Sequence, residues 1–315
     1  MGQMRFGVMN FCRSPYRELV QRIRQFESMG FDSAWVDDDV LTPAYVDYEA
    51  WTLLGALAVE TRRIRLGTMV TVPPFRFPAV LAVQVHTVDH ISGGRIAIGL
   101  GAGGYSNNYG ALGYDDWDPR ERAERLEEYA AILSPLLRGE QVSFSGRYYT
   151  VRDAQAGQPV RSSRPPLIVA AHGERGLRTA ARHADGWNTL GGQAYPAARD
   201  PSARISLAEA VASTKRLSDR LDAICEEEGR DPRSITRSVL VYRTLDDPLA
   251  SLDAFDEYVG AYQEIGIEEV IFYWPPLDNL FPKSGEGVGG FSSIPLDTSQ
   301  INAFERIVAG RISNR

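Results

Sequence analysis

The segment Ile64-Arg65-Leu66-Gly67-Thr68-Met69-Val70-Thr71-Val72 has the composition of a buried β-strand, and it decides the fold. A helical segment follows at 79–91, and the apolar run Ile96-Ala97-Ile98-Gly99-Leu100 forms the next strand. A strand, a helix and a strand of these lengths make a right-handed βαβ unit with parallel strands. The second strand runs into Gly101-Ala102-Gly103-Gly104, and parallel α/β folds bind ligands at the carboxyl ends of their strands. This stretch therefore indicates where a ligand would bind.

The same alternation of apolar strands and amphipathic helices continues through the whole chain. Eight strand–helix units in order predict an α/β fold, a (β/α)₈ TIM barrel with inserted loops and a small hairpin on the cofactor face. We expect one barrel domain over residues 1–315. Two halves of a doubly wound sheet are the alternative, but no glycine-rich nucleotide fingerprint follows the first strand.

Three stretches interrupt the alternation of strands and helices. Residues 142–151 alternate about Gly146 and predict the hairpin. Residues 191–206 and 275–297 are rich in Gly, Pro, Ser and Ala, and both follow strand ends. Long irregular loops at this position are either lids over the ligand or disordered segments, and we expect lids.

Composition and charge limit the partners. The formal net charge is −7, and phosphate binding needs a basic surface, so we expect no nucleic acid partner. The four histidines show no ligand spacing, so we expect no metal site. No apolar run approaches the roughly 20 residues that span a bilayer, and Met1–Arg5 show no signal-peptide pattern. Because Cys12 and Cys225 lie far apart, the simplest prediction is a cytoplasmic protein without disulfides or membrane contact.

Short motifs follow one another in a recognisable order over roughly residues 5–190. They are Leu66-Gly67-Thr68, Arg76-x-Pro78, Ala82-x-Gln84, Ser92-x-Gly94-Arg95, Gly99-x-Gly101-x-Gly103 and Ala184-Asp185-Gly186-Trp187. In this order and spacing they resemble the luciferase-like flavin-dependent oxidoreductases. The resemblance implies a barrel with insertions, a coenzyme that is reduced FMN or the deazaflavin F420, a small-molecule substrate and a homodimer.

The resemblance also implies a set of coenzyme-binding residues. The end of the third strand would carry a bulge with a cis peptide bond at Met69–Val70, against the central flavin ring. The segment 170–176 opens a helix, and the free N–H groups at a helix N-terminus suit the coenzyme phosphate. The full predicted set is Met69, Val70, Gly101, Ala102, Gly103, Asn107, Ala171, His172, Gly173, Arg175 and Gly176.

Candidate catalytic residues follow the second and fourth strands. Three carboxylates in a row, Asp37-Asp38-Asp39, end the second strand, and their repulsion raises at least one pKa unless a cation lies nearby. Many F420-dependent relatives have a histidine where Asp39 stands, and many have a glutamate in the loop after Gly101, which this chain lacks. We therefore predict Asp39, Asp38 and Asn107 as the catalytic residues.

Three functions remain open at this point. The first is an F420-dependent oxidoreductase that transfers a hydride between the coenzyme and a small organic substrate. The second is an FMN-dependent monooxygenase of the same fold that uses oxygen. The third is a non-catalytic binding protein, which the missing histidine and glutamate leave open.

Overall fold

Eight parallel strands close into a barrel in the computed structural model, as predicted. The model describes residues 3–11, 14–38, 48–104, 108–115, 117–191, 204–242 and 244–274. The barrel strands are β1 (Arg5–Asn10), β2 (Ser33–Val36), β3 (Arg65–Thr71), β4 (Ile96–Gly101), β7 (Leu167–Ala170), β8 (Gly186–Thr189), β9 (Thr236–Leu240) and β10 (Glu269–Trp274), in the order β1-β10-β9-β8-β7-β4-β3-β2.

Helices connect the strands on the outside of the barrel. They are α1 (Tyr16–Met29), α2 (Ala50–Glu60), α3 (Pro78–Ser92), α4 (Asn108–Ala111), α5 (Pro119–Leu137), α6 (Glu174–His183), α7 (Leu207–Glu227) and α8 (Leu252–Glu264). Single 3-10 turns stand at Pro73–Phe75 and Pro232–Ser234. None of the helices in the described ranges is both long and apolar enough to cross a membrane.

The predicted hairpin exists, and its position on the coenzyme face stays a prediction. Its strands are β5 (Val142–Ser145) and β6 (Thr150–Ala154), which pair antiparallel in the connection from α5 to β7. The turn of the hairpin is fixed to α5, where the Glu128 carboxylate accepts the N–H groups of Arg147, Tyr148 and Tyr149.

The other two predicted insertions lie mostly or wholly outside the described residues, which omit 192–203 and 275–315. The described part of the first insertion ends at Ser206, whose side chain and Glu209 form a reciprocal cap at the start of α7. The lid function of both segments and the single-domain boundary stay predictions.

Strand alternation divides the apolar side chains into two layers. Val8, Ala34 and Leu66 face the helices and belong to the large core between the sheet and the helix ring. The intervening side chains fill the barrel, and this inner cluster consists of Met9, Trp35, Met69, Ala97, Ile168, Leu240 and Ile271. The barrel is therefore a packed core whose upper side chains form the floor of the mouth, meaning the opening at the carboxyl ends of the strands.

Polar side chains fix the inner cluster from below. The Trp35 indole Nε1 donates to Ser33 Oγ at 2.8 Å, and Ser33 Oγ donates to the Glu269 carboxylate. All three residues are buried, and Arg5 Nε lies 3.9 Å from Glu269 Oε2. This chain of contacts holds the largest side chain of the inner cluster in one orientation.

Two Gly→Ala substitutions should change the free energy of unfolding in opposite directions, because β3 and β4 approach closely at one site and the other has open space. A Cβ at Gly99 would overlap the Thr68 carbonyl, so Gly99→Ala should lower the free energy of unfolding by about 1–3 kcal/mol. Gly260, inside α8, has open space at its Cβ position, so Gly260→Ala should raise it by about 0.5–1 kcal/mol. Urea unfolding of both variants measures the difference, and equal effects would contradict the close contact.

Candidate active site

The mouth is built around a bulge at the end of β3. The pairing of β3 with β4 shifts register between Thr68 and Thr71, and the Met69–Val70 peptide bond is cis, as the resemblance predicted. Met69 belongs to the inner cluster, and Val70 is a half-buried side chain packed against it. The bulge therefore presents apolar surface at the rim of the barrel.

The glycines after β4 have packing reasons within the protein. A Cβ at Gly101 would lie 2.6 Å from Val70 Cγ2, so only glycine leaves room for the bulge. Gly103 has φ of 80°, the left-handed region, and lies against the Tyr109 hydroxyl. Ala102 packs half-buried against the outer core. Direct contact of these three residues with a coenzyme stays a prediction.

His172 lies at the mouth, after β7. The Leu190 backbone N–H donates to its Nε2 at 3.0 Å, and the Leu190 side chain packs against the inner cluster, as that of Val70 does. Burial lowers the pKa of His172 from its ordinary 6.5 to about 4. The imidazole is therefore neutral at physiological pH, and it contributes hydrogen-bonding groups without charge.

This shift predicts a pH-dependent stability that His172 controls. Between pH 4 and 6.5 the unfolded chain binds a proton at His172 and the folded chain does not, so the free energy of unfolding falls as the pH drops through this window. His172→Gln should flatten that slope by up to one proton. Urea unfolding at a series of pH values measures it, and an unchanged slope in the variant would contradict the burial of His172.

The next residues of the predicted coenzyme-binding set lie at the start of α6. Gly173 is the N-cap, and no side chain caps the helix, so the first-turn N–H groups have no side-chain acceptor. A Cβ at Gly173 would meet open space, whereas one at Gly176 would lie 2.8 Å from the Ala171 Cβ. Gly176 therefore serves helix packing on Ala171. Arg175 is exposed and pairs with Glu124 at 3.2 Å.

The predicted catalytic residues fall in different places. Asp39 and Asn107 lie outside the described residues. Asp38 is buried and follows β2 on the side that faces the helices. Its carboxylate accepts two hydrogen bonds from the Arg76 guanidinium, with Nη2 to Oδ1 at 2.9 Å, and a third from Thr71 Oγ1 at 2.7 Å.

Arg76 joins this carboxylate to the start of α2. Its Nη2 also donates to Glu49 Oε1 at 2.7 Å, and the other oxygen of Glu49 caps α2 through the Thr52 N–H. The Tyr129 hydroxyl of α5 donates to the Arg76 carbonyl at 3.1 Å. This arrangement gives Asp38 a positioning role, because its hydrogen bonds tie the end of β2 to the turn after β3. Its predicted catalytic role stays untested.

Loss of either carboxylate that binds Arg76 should lower the free energy of unfolding, but by unequal amounts. Asp38→Asn should lower the free energy of unfolding by about 3–5 kcal/mol, since it breaks a buried ion pair. Glu49→Gln should cost at most about 1 kcal/mol, because the Glu49 side chain is 37% exposed. Thermal or urea unfolding of both variants measures the costs, and a smaller loss for Asp38→Asn would contradict the structural role.

Sequence reasoning missed several residues of the mouth. Tyr273 packs against the inner cluster, stacks on Phe11 with ring centroids 5.6 Å apart, and meets Tyr242 edge-on at 6.1 Å. Leu190 was missed as well. Tyr242, Tyr273 and Leu190 follow the inward alternation of their strands, so counting in steps of two from the buried strand centres would have found these three.

Comparison with known proteins identifies the family. The family model for luciferase-like monooxygenase matches residues 4–264. The chain therefore belongs to the luciferase-like monooxygenase family, a family of enzymes, and the resemblance in the sequence motifs is confirmed.

Two relatives and one solved structure show which enzymes the chain is similar to. An F420-dependent glucose-6-phosphate dehydrogenase from Amycolatopsis mediterranei (strain U-32) is 29% identical over 272 residues, 82% of this chain and 80% of the relative. A 5,10-methylenetetrahydromethanopterin reductase from Archaeoglobus fulgidus is 31% identical over 183 residues, 58% of this chain and 52% of the relative. The solved structure of an F420-dependent secondary alcohol dehydrogenase with an F420-acetone adduct has a TM-score of 0.73 at 16% identity, over 97% of this chain and 98% of that one; it supports the fold alone.

Proposed function

We propose that this protein is an F420-dependent oxidoreductase that transfers a hydride between the coenzyme and a small organic substrate. The observation that carries the proposal is the mouth of the barrel, where an apolar bulge ends β3 and a set of uncharged donors follows β7, with β4 between the two strands. The names of the relatives support F420 as the coenzyme, since the glucose-6-phosphate dehydrogenase is F420-dependent.

The residues of the mouth fit a deazaflavin with a phosphate. Met69, Val70, Leu190 and Tyr273 offer apolar surface for a flat ring. The uncapped first turn of α6 offers backbone N–H groups to an anion, and the positive end of the helix dipole adds to the attraction. The coenzyme would therefore lie with its ring toward β3 and its phosphate toward α6.

The protein's own contribution is to hold, orient and shield the reactants. F420, when bound, supplies or accepts the hydride. The bulge and the inner cluster exclude water from beneath the ring, and the mouth fixes the substrate against it. We further propose Asp39 as the group that exchanges a proton with the substrate and Asn107 as a ligand of the coenzyme, with Asp38 holding the strand end that carries Asp39.

A binding measurement tests this function. Purified protein is titrated with F420 and, separately, with FMN, and coenzyme fluorescence reports binding. We expect F420 to bind at micromolar concentration or below and reduced coenzyme to cause no oxygen uptake. Preference for FMN, with oxygen consumption, would favour the monooxygenase alternative, which the name of the family supports. Binding of neither would refute both. The non-catalytic alternative is disfavoured because the chain belongs to an enzyme family.

We also propose that two copies of the chain pair through the outer face of α2 and α3. This face exposes apolar side chains to solvent, and exposed apolar patches mark protein interaction sites. They are Val59 (60% exposed), Val80 (53%), Val83 (49%) and Ile91 (48%). On α3 the spacing of residues 80, 83, 87 and 91 puts them on one side of the helix, and a two-fold axis would set this surface against itself. The proposed homodimer works in the cytoplasm, without nucleic acid.

A single charge on this face should separate the two copies. Val83→Glu would bury two carboxylates against apolar surface, and we expect it to convert the dimer to a monomer. Light scattering after size-exclusion chromatography measures the mass. Leu245→Glu is the control, since Leu245 is 69% exposed and lies away from α2 and α3 along the chain. A wild-type protein that runs as a monomer would contradict the proposed dimer.

A further inference from the structure

Three aromatic side chains lie next to one another where β9, β10 and β1 end. These strands are neighbours in the barrel; Tyr242 follows β9, Tyr273 belongs to β10 and Phe11 follows β1. Tyr273 is the central ring of the three, since its plane lies 13° from that of Phe11 and 60° from that of Tyr242. We call these three rings the aromatic wall.

The packing of neighbouring residues shows that the aromatic wall faces the inside of the barrel. Val241, Phe272 and Trp274 belong to the core between the sheet and the helices or pack against it. Because consecutive side chains point to opposite faces of a strand, Tyr242 and Tyr273 take the inner face. Tyr273 packs directly against the inner cluster, and all three rings of the wall are only half-buried. The aromatic wall therefore exposes apolar ring surface in the mouth.

The aromatic wall reaches across the mouth from the bulge of β3. In the closed barrel β9 stands four strands from β3 in both directions, so Tyr242 lies opposite the cis peptide bond of Met69 and Val70. Tyr273 belongs to both surfaces, since it also packs against the inner cluster that forms the floor. With the coenzyme ring against the bulge, the wall borders the space beyond the ring, where a substrate would meet it.

The charge at the mouth disfavours an anionic substrate. Val36 and Asp38 face the helices, so strand alternation places the Asp37 carboxylate between them on the inner side. The Arg76 guanidinium is 7% exposed and is already bound by Asp38 and Glu49. Of the described residues that directly follow the eight strands on the inner side, none is a lysine or an arginine. A phosphate or carboxylate on the substrate would therefore meet repulsion there without a compensating cation.

We propose that the aromatic wall binds the substrate, and that this substrate carries an uncharged apolar ring rather than a phosphate or a carboxylate. The inference rests on the proposed F420-dependent function, which places the coenzyme opposite the wall. Aromatic side chains bind a flat apolar group by burying its surface and by stacked or edge-on contact, and the carboxylate of Asp37 selects against anions. Tyr242 is the specificity-determining residue, because its strand lies opposite the bulge and its ring is half-buried.

Binding of a ring compound to the F420-loaded protein tests the proposal. Indole serves as the uncharged ring probe and glucose 6-phosphate as the contrasting polar anion, and saturation-transfer nuclear magnetic resonance detects weak binding of either. We expect the indole ring protons to receive saturation from the protein, and indole to bind about tenfold more tightly than glucose 6-phosphate. Tighter binding of glucose 6-phosphate, or no binding of indole, would overturn the proposal.

Variants test whether the ring compound binds at the aromatic wall. Tyr242→Leu keeps apolar volume but removes the ring, so it should weaken indole binding by roughly threefold to tenfold, whereas Tyr242→Phe should retain it. The affinity for F420 should stay the same in both variants, because Tyr242 lies across the mouth from the bulge.

Tyr114→Leu is the matched control. Tyr114 is 44% exposed and meets Trp117 with ring centroids 5.6 Å apart, in the connection from α4 to α5. This substitution should leave indole binding unchanged. Circular dichroism at the titration temperature checks that each variant is folded. Equal indole affinity in folded Tyr242→Leu and in the unchanged protein would overturn the proposal.

The outcomes separate the substrate class from the function on which it rests. If F420 binds but indole does not, or if indole binds without regard to Tyr242, the substrate class is wrong and the proposed function stands. If F420 does not bind, the indole titration is repeated on the protein alone. Tyr242-dependent binding of indole there would keep the aromatic wall as a binding site while the proposed function fails.

Discussion

Hydrogen bonding between β1 and β10 closes the barrel, and the whole mouth depends on this closure. The register pairs Arg5 with Glu269 and Asn10 with Trp274, so the first and last described strands end at the same rim. Met69 and Val70 come from β3, Leu190 follows β8 and Tyr273 comes from β10, so side chains from several strands meet at the mouth. The closing contacts also join residues far apart in sequence, whose ordering has a large entropic cost. The packed inner cluster offsets that cost and at the same time forms the floor of the site.

The polar residues at the rim of the barrel have two different roles. Asp38 and Arg76 face the helices, where their buried ion pair ties the end of β2 to the turn after β3. His172 follows β7 and bonds to the Leu190 N–H, and its lowered pKa leaves it without charge at physiological pH. Strand alternation makes this division possible, because consecutive residues point to opposite faces of the sheet. The buried ion pair of Asp38 and Arg76 therefore stabilises the rim from the helix side, and its charges are compensated outside the mouth.

Local sequence patterns predicted the parts of the fold that local interactions determine. The strand–helix–strand unit of 64–104 and the hairpin at Gly146 lie where expected. The bulge at Met69–Val70 lies where the family resemblance implied it. The site was harder to predict, because its contacts are long-range. The sequence shows that Asp38 follows a strand, but only the fold brings Arg76, 38 positions away, into contact with it. Likewise, the motif glycine Gly176 was expected to approach a coenzyme, whereas packing on Ala171 already requires it.

The central claim is that the bulge of β3 and the start of α6 together hold F420. A crystal structure of the protein with F420 bound tests it most directly. The account predicts the deazaflavin ring against Met69 and Val70, with the phosphate at the first turn of α6. A coenzyme bound elsewhere on the chain, or with its phosphate away from α6, would contradict it.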